Sequence, residues 1–406
     1  MRTPLQILLC LLLASSVFVG QSNGQAPAKA LFELETSPMA QSNNTFAFNL
    51  YQRVREKDDN LIFSPFSITQ ALGMLYAGAR GATQQQIAET LALPAEGEID
   101  FAALSDRMRA PPAYEAVLFQ LNIANSLWAQ EGYALYPDYL DLLAEVFDSQ
   151  LQEVDFAASD QTAQVINEWV SEQTQDKIDD LVNPASLGPL TRLILINAIY
   201  MNAGWALVFN ESQTQDDSFT LLDGNQVTVP MMHRLDQFSY VATESFQAAE
   251  LAYQQPNFSM IILLPDQGRF GTVEAMLSVE FFEALRTQLF SPYNLELALP
   301  RFQYDTSLNL AETLIDMGMS AAFRGEADFS GIAADPLFVD EVTHKAFISV
   351  DEKGTEAAAA TEIGLGGGGP PNEPIVFNVD RPFIYIIYEQ SSGAILFIGR
   401  VLDPSQ

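Results

Sequence analysis

Chemistry that needs a nucleophile, a general base or a soft metal ligand has few residues to draw on in this 406-residue chain. The only cysteine is Cys10, and the only histidines are His233 and His344. A lone cysteine closes no disulfide within the chain and builds no cysteine-based zinc site. Two histidines leave little room for a histidine-rich metal centre. A Ser-His-Asp hydrolase would have to use one of them, and no G-x-S-x-G elbow accompanies either. What the sequence offers instead is a segment whose spacing suits mechanical rather than acid-base chemistry, GTEAAAATEIGLGGGGPP from Gly354 to Pro371. Its odd positions are Thr355, Ala357, Ala359, Thr361, Ile363 and Leu365, all apolar or Thr. Its even positions carry both charges, Glu356 and Glu362, with Ala358, Ala360 and Gly364. That is the period of a strand with one buried face. Gly366 to Gly369 makes a poor strand, because glycine loses the most freedom on ordering. The segment reads as an exposed loop carrying a latent strand, and the plainer alternative is a flexible linker.

Composition excludes several partners. With 52 Asp+Glu against 19 Lys+Arg the formal net charge is −33, and no run of the sequence supplies a basic patch. Neither a phosphate backbone nor an anionic membrane surface is therefore an expected partner. No cofactor is expected either. The N-terminus has the form of a targeting segment: Arg2, then an apolar stretch from Ile7 to Val19, then small residues at Gly20, Ser22, Gly24 and Ala26. We read residues 1–26 as a signal peptide with cleavage at about 20–26. The apolar run is short for a bilayer span, so an uncleaved anchor is the weaker alternative. Leu8 and Leu9 before Cys10 argue against a lipoprotein. The mature chain is then cysteine-free and secreted, to the extracellular space or a periplasm.

No repeat or long linker divides residues 31–406, which reads as a single domain. Helical periodicity appears at Thr45–Glu56, Ser67–Tyr76, Thr83–Leu91 (with Thr83 as N-cap), Gln161–Thr174 and Leu308–Met317. Strand-like runs appear at Leu193–Tyr200, Phe258–Leu264, Asn294–Leu299, Ala346–Val350, Ile375–Phe377 and Phe383–Glu389. The last pairs with Ala394–Val401 through a turn at Gln390-Ser391-Ser392-Gly393. Helices dominate the first half and strands the second, which predicts an α+β domain with extensive sheet.

Several ordered blocks carry a resemblance. They are NLIFSPFSITQALGMLYAGARGATQQQIAETL (Asn60–Leu91), INEWVSEQTQDKIDDLV (Ile166–Val182), LINAIYMNAGW (Leu195–Trp205), VPMM (Val229–Met232), HKAFISVDEKGTEAAAAT (His344–Thr361) and FNVDRPFIYII (Phe377–Ile387) followed by GAILFIGRVLDP. From about residue 45 onward the chain resembles the serpins, the serine protease inhibitor family. The resemblance implies three β-sheets, eight or nine helices and an exposed reactive-centre loop at about 352–374. It also implies trapping: a protease cleaves the loop, forms an acyl-enzyme, and is displaced as the loop inserts into the central sheet. The latent strand agrees with that role, since its inward parity is small enough to enter between existing strands.

Site residues follow from the resemblance. Glu352, Gly354, Thr355, Glu356, Ala357, Ala358, Ala359, Ala360 and Thr361 match the hinge. Ser64, Ser67, Asn197 and His344 match the shutter, a polar cluster beneath the middle of the sheet. Trp205, Arg301 and Glu352 match the breach, where the loop first enters; an exposed Arg301–Glu352 pair would contribute about 0–1 kcal/mol. The cleaved bond falls at Gly368-Gly369, about sixteen residues past Glu352. Glycine there suits small-pocket, elastase-like serine proteases rather than trypsin-like ones, and a papain-like cysteine protease is the alternative target. An intact hinge favours inhibition; the rival is a non-inhibitory member whose loop is only protease-sensitive bait. The expected state is a monomer. Heparin activation is not expected, because Asp106–Val117 holds only Arg107 and Arg109 as cations. Sequons stand at Asn43, Asn210 and Asn257.

Overall fold

The computed structural model describes residues 37–55, 58–94, 99–109, 118–289, 292–355 and 373–406. The leader at 1–26 and the loop residues Glu356–Thr361, Gly368 and Gly369 lie outside them. The N-terminal quarter is built of α1 (Pro38–Val54), β1 (Leu61–Phe63), α2 (Pro65–Gly78), α3 (Gly81–Thr90) and α4 (Phe101–Met108). There follow β2 (Phe119–Gln130), α5 (Pro137–Phe147), β3 (Gln150–Val154), α6 (Ser159–Gln173), β4 (Leu193–Gly204), β5 (Gln215–Thr220), β6 (Gln226–Ala242), β7 (Phe246–Ala252) and β8 (Phe258–Pro265). Then come α7 (Phe270–Ala275), α8 (Val279–Gln288), β9 (Pro292–Pro300), β10 (Phe302–Asn309), α9 (Ala311–Asp316) and β11 (Val339–Val350). Last are β12 (Gly354–Thr355), β13 (Ile375–Asn378), β14 (Phe383–Glu389) and β15 (Ile395–Val401). Nine α-helices among the described residues, with mixed sheets, make this the expected α+β fold.

The sheets explain why the apolar runs sit where they do. Six strands form one sheet in the order β10-β11-β12-β4-β2-β3. Nine more are linked in the order β1-β15-β14-β8-β7-β6-β9-β13, with β5 also on β6. The 17-residue β6 changes partners along its length, from β5 to β9 to β7, and so joins two strand groups into one network. Strands β8, β14 and β15 are buried on both faces, which accounts for their unbroken apolar runs. In β4 the two faces see different cores. Leu195 and Ile199 pack into the main one, which includes Phe66, Leu72 and Leu75 of α2. Ile194, Ile196 and Ala198 pack with Trp128 and with Ile166 and Val170 of α6.

Two expectations need correction. Thr83 does not cap α3: the helix begins at Gly81 after Arg80, and the Thr83 hydroxyl accepts from the Asp328 backbone N–H at 3.0 Å. Leu308 belongs to β10, paired with His344, and the helix begins only at Ala311. The Gln390–Gly393 turn is present, with Gly393 at φ +72°.

Candidate functional site

The central seam of the six-stranded sheet lies between β11 and β4. These strands run parallel and pair directly from Val339↔Leu193 to Phe347↔Tyr200. Above that point they separate, and β12 occupies the space, antiparallel to both: Thr355 opposes Val350 on one side and Ala203 on the other. Gly354 and Thr355, near the start of the loop, therefore already form a strand of the sheet. Thr355 is buried, as its inward parity requires, and its hydroxyl lies 2.8 Å from the Tyr253 hydroxyl. Gly354 is needed for a steric reason. A Cβ there would stand 2.7 Å from Gly204 Cα and would collide with the Ala203 carbonyl oxygen.

The chain entering this wedge is pinned residue by residue. Trp205 Nε1–H donates to Asp351 O at 3.0 Å, and the Trp205 backbone N–H donates to Lys353 O at 2.8 Å. Between them, Glu352 O accepts from Phe209 N–H at 2.9 Å. The Trp205 ring is buried and stacks on Tyr253 with centroids 4.6 Å apart. Arg301 donates to Glu352 Oε1 from Nε at 2.9 Å and Nη2 at 2.5 Å, and Thr214 Oγ1–H donates to the same oxygen. The pair is not exposed as expected: the Glu352 side chain is only 3% accessible, against 43% for Arg301. Burial by itself would raise the Glu352 carboxyl pKa. The bonds from Arg301 and Thr214 outweigh that and hold it below the usual carboxylate range.

Lower in the seam, the polar residues predicted as a shutter come together. The Ser64 backbone N–H donates to His344 Nε2 at 3.2 Å, so Nδ1 carries the proton and donates to Asn197 Oδ1. Asn197 Nδ2 donates to Ser67 Oγ at 2.6 Å and to Asn125 Oδ1. Ser64 Oγ donates to Leu396 O at 2.6 Å and accepts from Ser67 N–H at 3.1 Å, which caps α2 ahead of Pro65. Burial pushes the His344 pKa down to about 3, so the ring is neutral. Both its nitrogens are committed, which leaves none to act as a catalytic base. His233 lies on β6 in the other strand network.

Sequence reading missed Asn125, Thr214 and Tyr253. Asn125 was hidden because β2 alternates weakly; Thr214 and Tyr253 sit outside any periodic element and act only through tertiary contact. Of the sequons, Asn43 is fully buried and donates from Nδ2 to Ile395 O at 2.9 Å. Asn210 and Asn257 are exposed.

The family model described as serpin (serine protease inhibitor) matches residues 41–404. The chain belongs to the serpin family. Members of that family are generally protease inhibitors. Among curated relatives, a serpin-like protein of Thermococcus kodakarensis is 39% identical over 92% of this chain and 88% of its own length. Human Serpin B3 is 33% identical, covering 90% and 99% respectively. Among solved structures, human thyroxine-binding globulin complexed with thyroxine has a TM-score of 0.82 at 32% identity, over 91% of this serpin and 99% of that chain. Serpin48 of the insect Tenebrio molitor, described as highly specific, has a TM-score of 0.79 at 30% identity, over 90% and 98%.

Proposed function

We propose that this serpin is a secreted inhibitor that traps serine proteases covalently by drawing its cleaved loop into the β11–β4 seam. The observation that carries the reading is β12, which sets the register an inserting strand would follow. Continued from Thr355, that register puts Ala357 beside Ile348 and Met201, and Ala359 beside Ala346 and Ile199. Thr361 would arrive between His344 and Asn197, the two residues that now pair directly. The neighbours of Ala357 and Ala359 belong to the main core, so small side chains suit them. Insertion also replaces one parallel pairing with two antiparallel ones, which are the more stable kind. Residues Gly354 to Gly368 would span roughly 50 Å as a strand, at about 3.3 Å per residue.

Gly368-Gly369 as the cleaved bond offers no side chain to a specificity pocket, which favours elastase-like targets with papain-like cysteine proteases as the second class. Secretion rests on the leader sequence. The likeness to thyroxine-binding globulin makes a non-inhibitory role the rival reading; the small-residue hinge, with its first two residues already seated, favours inhibition. Incubation with elastase followed by denaturing electrophoresis separates the two. An SDS-stable adduct is expected, and simple nicking near Gly368 would establish the rival.

A further inference from the structure

The two ends of the β11–β4 seam are built differently. At its head β12 already parts the strands, and the direct ladder runs down from Phe347↔Tyr200 to Glu341↔Ile194. At its foot the register shifts between Val339 and Glu341, which leaves Asp340 as an extra residue on β11. A bulge of this kind disrupts the ladder locally. A side chain takes over there. Asp340 Oδ2 accepts from the Arg192 N–H at 2.6 Å and from the Leu193 N–H at 3.3 Å, at the very start of β4. The bond is to the main chain, because the Arg192 guanidinium turns back onto Pro189 O and Thr191 O, each at 3.0 Å. Glu341 adds a second link. Its Oε2 accepts from Ser186 Oγ–H at 2.9 Å in the segment leading to β4, and its Oε1 accepts from Asn309 Nδ2 at 3.1 Å on β10.

We propose that Asp340 is a latch at the foot of the seam, one that keeps β4 on β11 until a strand advances from the head. It is a positioning residue, acting through how readily the seam parts rather than by touching a protease. Its role rests on the inhibitory reading, in which the cleaved loop enters this seam. A strand seated down to the foot moves β11 and β4 from about 5 Å to about 10 Å apart. One carboxylate on β11 cannot then reach the amides at the start of β4, so the latch exists only while the seam is closed. It biases the uncleaved molecule toward the closed sheet and contributes nothing to the inserted one. Asp340 is also exposed, so substitution removes the latch without hollowing the core.

The test uses the full chain as Asp340→Ala, Asp340→Asn and, to control for charge, Asp335→Ala, which removes an exposed carboxylate upstream of β11. Hydrogen exchange of the intact chain is read at Ile194 to Ala198, whose amides Asp340 does not touch. Exchange there should be about five- to tenfold faster in Asp340→Ala and near the parent rate in Asp335→Ala. Asp340→Asn keeps an acceptor without the charge and should fall between. Denaturant midpoints are then compared before and after limited proteolysis of the loop. Asp340→Ala should lower the midpoint of the intact chain and leave that of the cut chain unchanged. Faster exchange confined to Arg192 and Leu193 overturns the latch, as does the same effect from Asp335→Ala. Equal lowering of both midpoints, where cutting stabilises the parent, also overturns it, because the bond would then be an ordinary structural one. A cut parent no more stable than the intact one would refute insertion and with it the inhibitory reading. Faster exchange at Ile194 to Ala198 in the Asp340 variants alone would still establish the latch in that case.

Discussion

Replacing Thr355 with arginine tests the seam most directly, because the residue stands between β11 and β4 both before and after loop insertion. In the uncleaved molecule the described part of β12 is Gly354–Thr355, and an arginine that leaves the sheet there gives up the pairings with Val350 and Ala203. Also lost is the Thr355–Tyr253 bond, and a buried phenol left without its partner costs about 1–3 kcal/mol. In the inserted state escape is not available, since the strand continues past position 355 on both sides. An unpaired charge buried in the main core costs several kcal/mol. If about 3 kcal/mol of that is felt at the barrier to insertion, the step slows by roughly 150-fold. Deacylation then overtakes it, and Thr355→Arg should behave as a substrate with a high stoichiometry of inhibition. Glu356→Arg is the control. Its register neighbours would be Ser349 and Asn202, both half-buried on the opposite face, so an arginine can reach water. A second control, Thr355→Val, loses the hydroxyl bond in both states and should lower stability without shifting the partition. Titration against elastase, with adduct and cleaved products resolved by denaturing electrophoresis, reads all three. Equal behaviour of Thr355→Arg and Glu356→Arg, in either direction, would refute the parity argument.

His344→Ala or Asn197→Ala should leave buried polar groups unmatched at a cost of about 1–3 kcal/mol, and the seam should open on warming to inactive monomers or polymers visible by size exclusion. Because the native His344 pKa is about 3 against 6.5 for a free imidazole, the unfolded chain binds a proton that the native one does not between those values. Stability should therefore fall as pH drops from 6.5 toward 3, by up to about 1.4 kcal/mol per unit, and His344→Gln should lack that part of the slope in denaturant titrations at pH 7 and 5. Arg301→Ala strips the buried Glu352 carboxylate of its cation and should lower the unfolding midpoint by the equivalent of about 1–3 kcal/mol, less than for a fully buried pair because the guanidinium is 43% exposed. Arg301→Lys, which keeps charge but not the two-pronged contact, should recover part of it.

Local physics accounts for what could be read without coordinates. A strand with one buried face carries apolar or small residues on one parity, and the alternation of Thr355, Ala357, Ala359 and Thr361 with Glu356 and Glu362 has that period. Fully buried strands such as β14 and β15 betray themselves as unbroken apolar runs. Where an element's face is shared among several partners, the pattern is lost. Strand β6 changes neighbours twice in 17 residues, and its residues satisfy three environments in turn.

Long-range contacts settled the rest. Nothing near Thr83 in sequence shows that its hydroxyl is taken by Asp328, and nothing near Asn125 shows that it completes a chain of hydrogen bonds from Ser67 to His344. The burial of Glu352 depends on Arg301, Thr214 and Phe209, each from a different part of the chain. The same holds for the seam. Which strands flank β12, and where they part, are properties of strand order and register. Those are fixed by pairings between residues more than a hundred positions apart, where closure of the chain, not local propensity, sets the outcome.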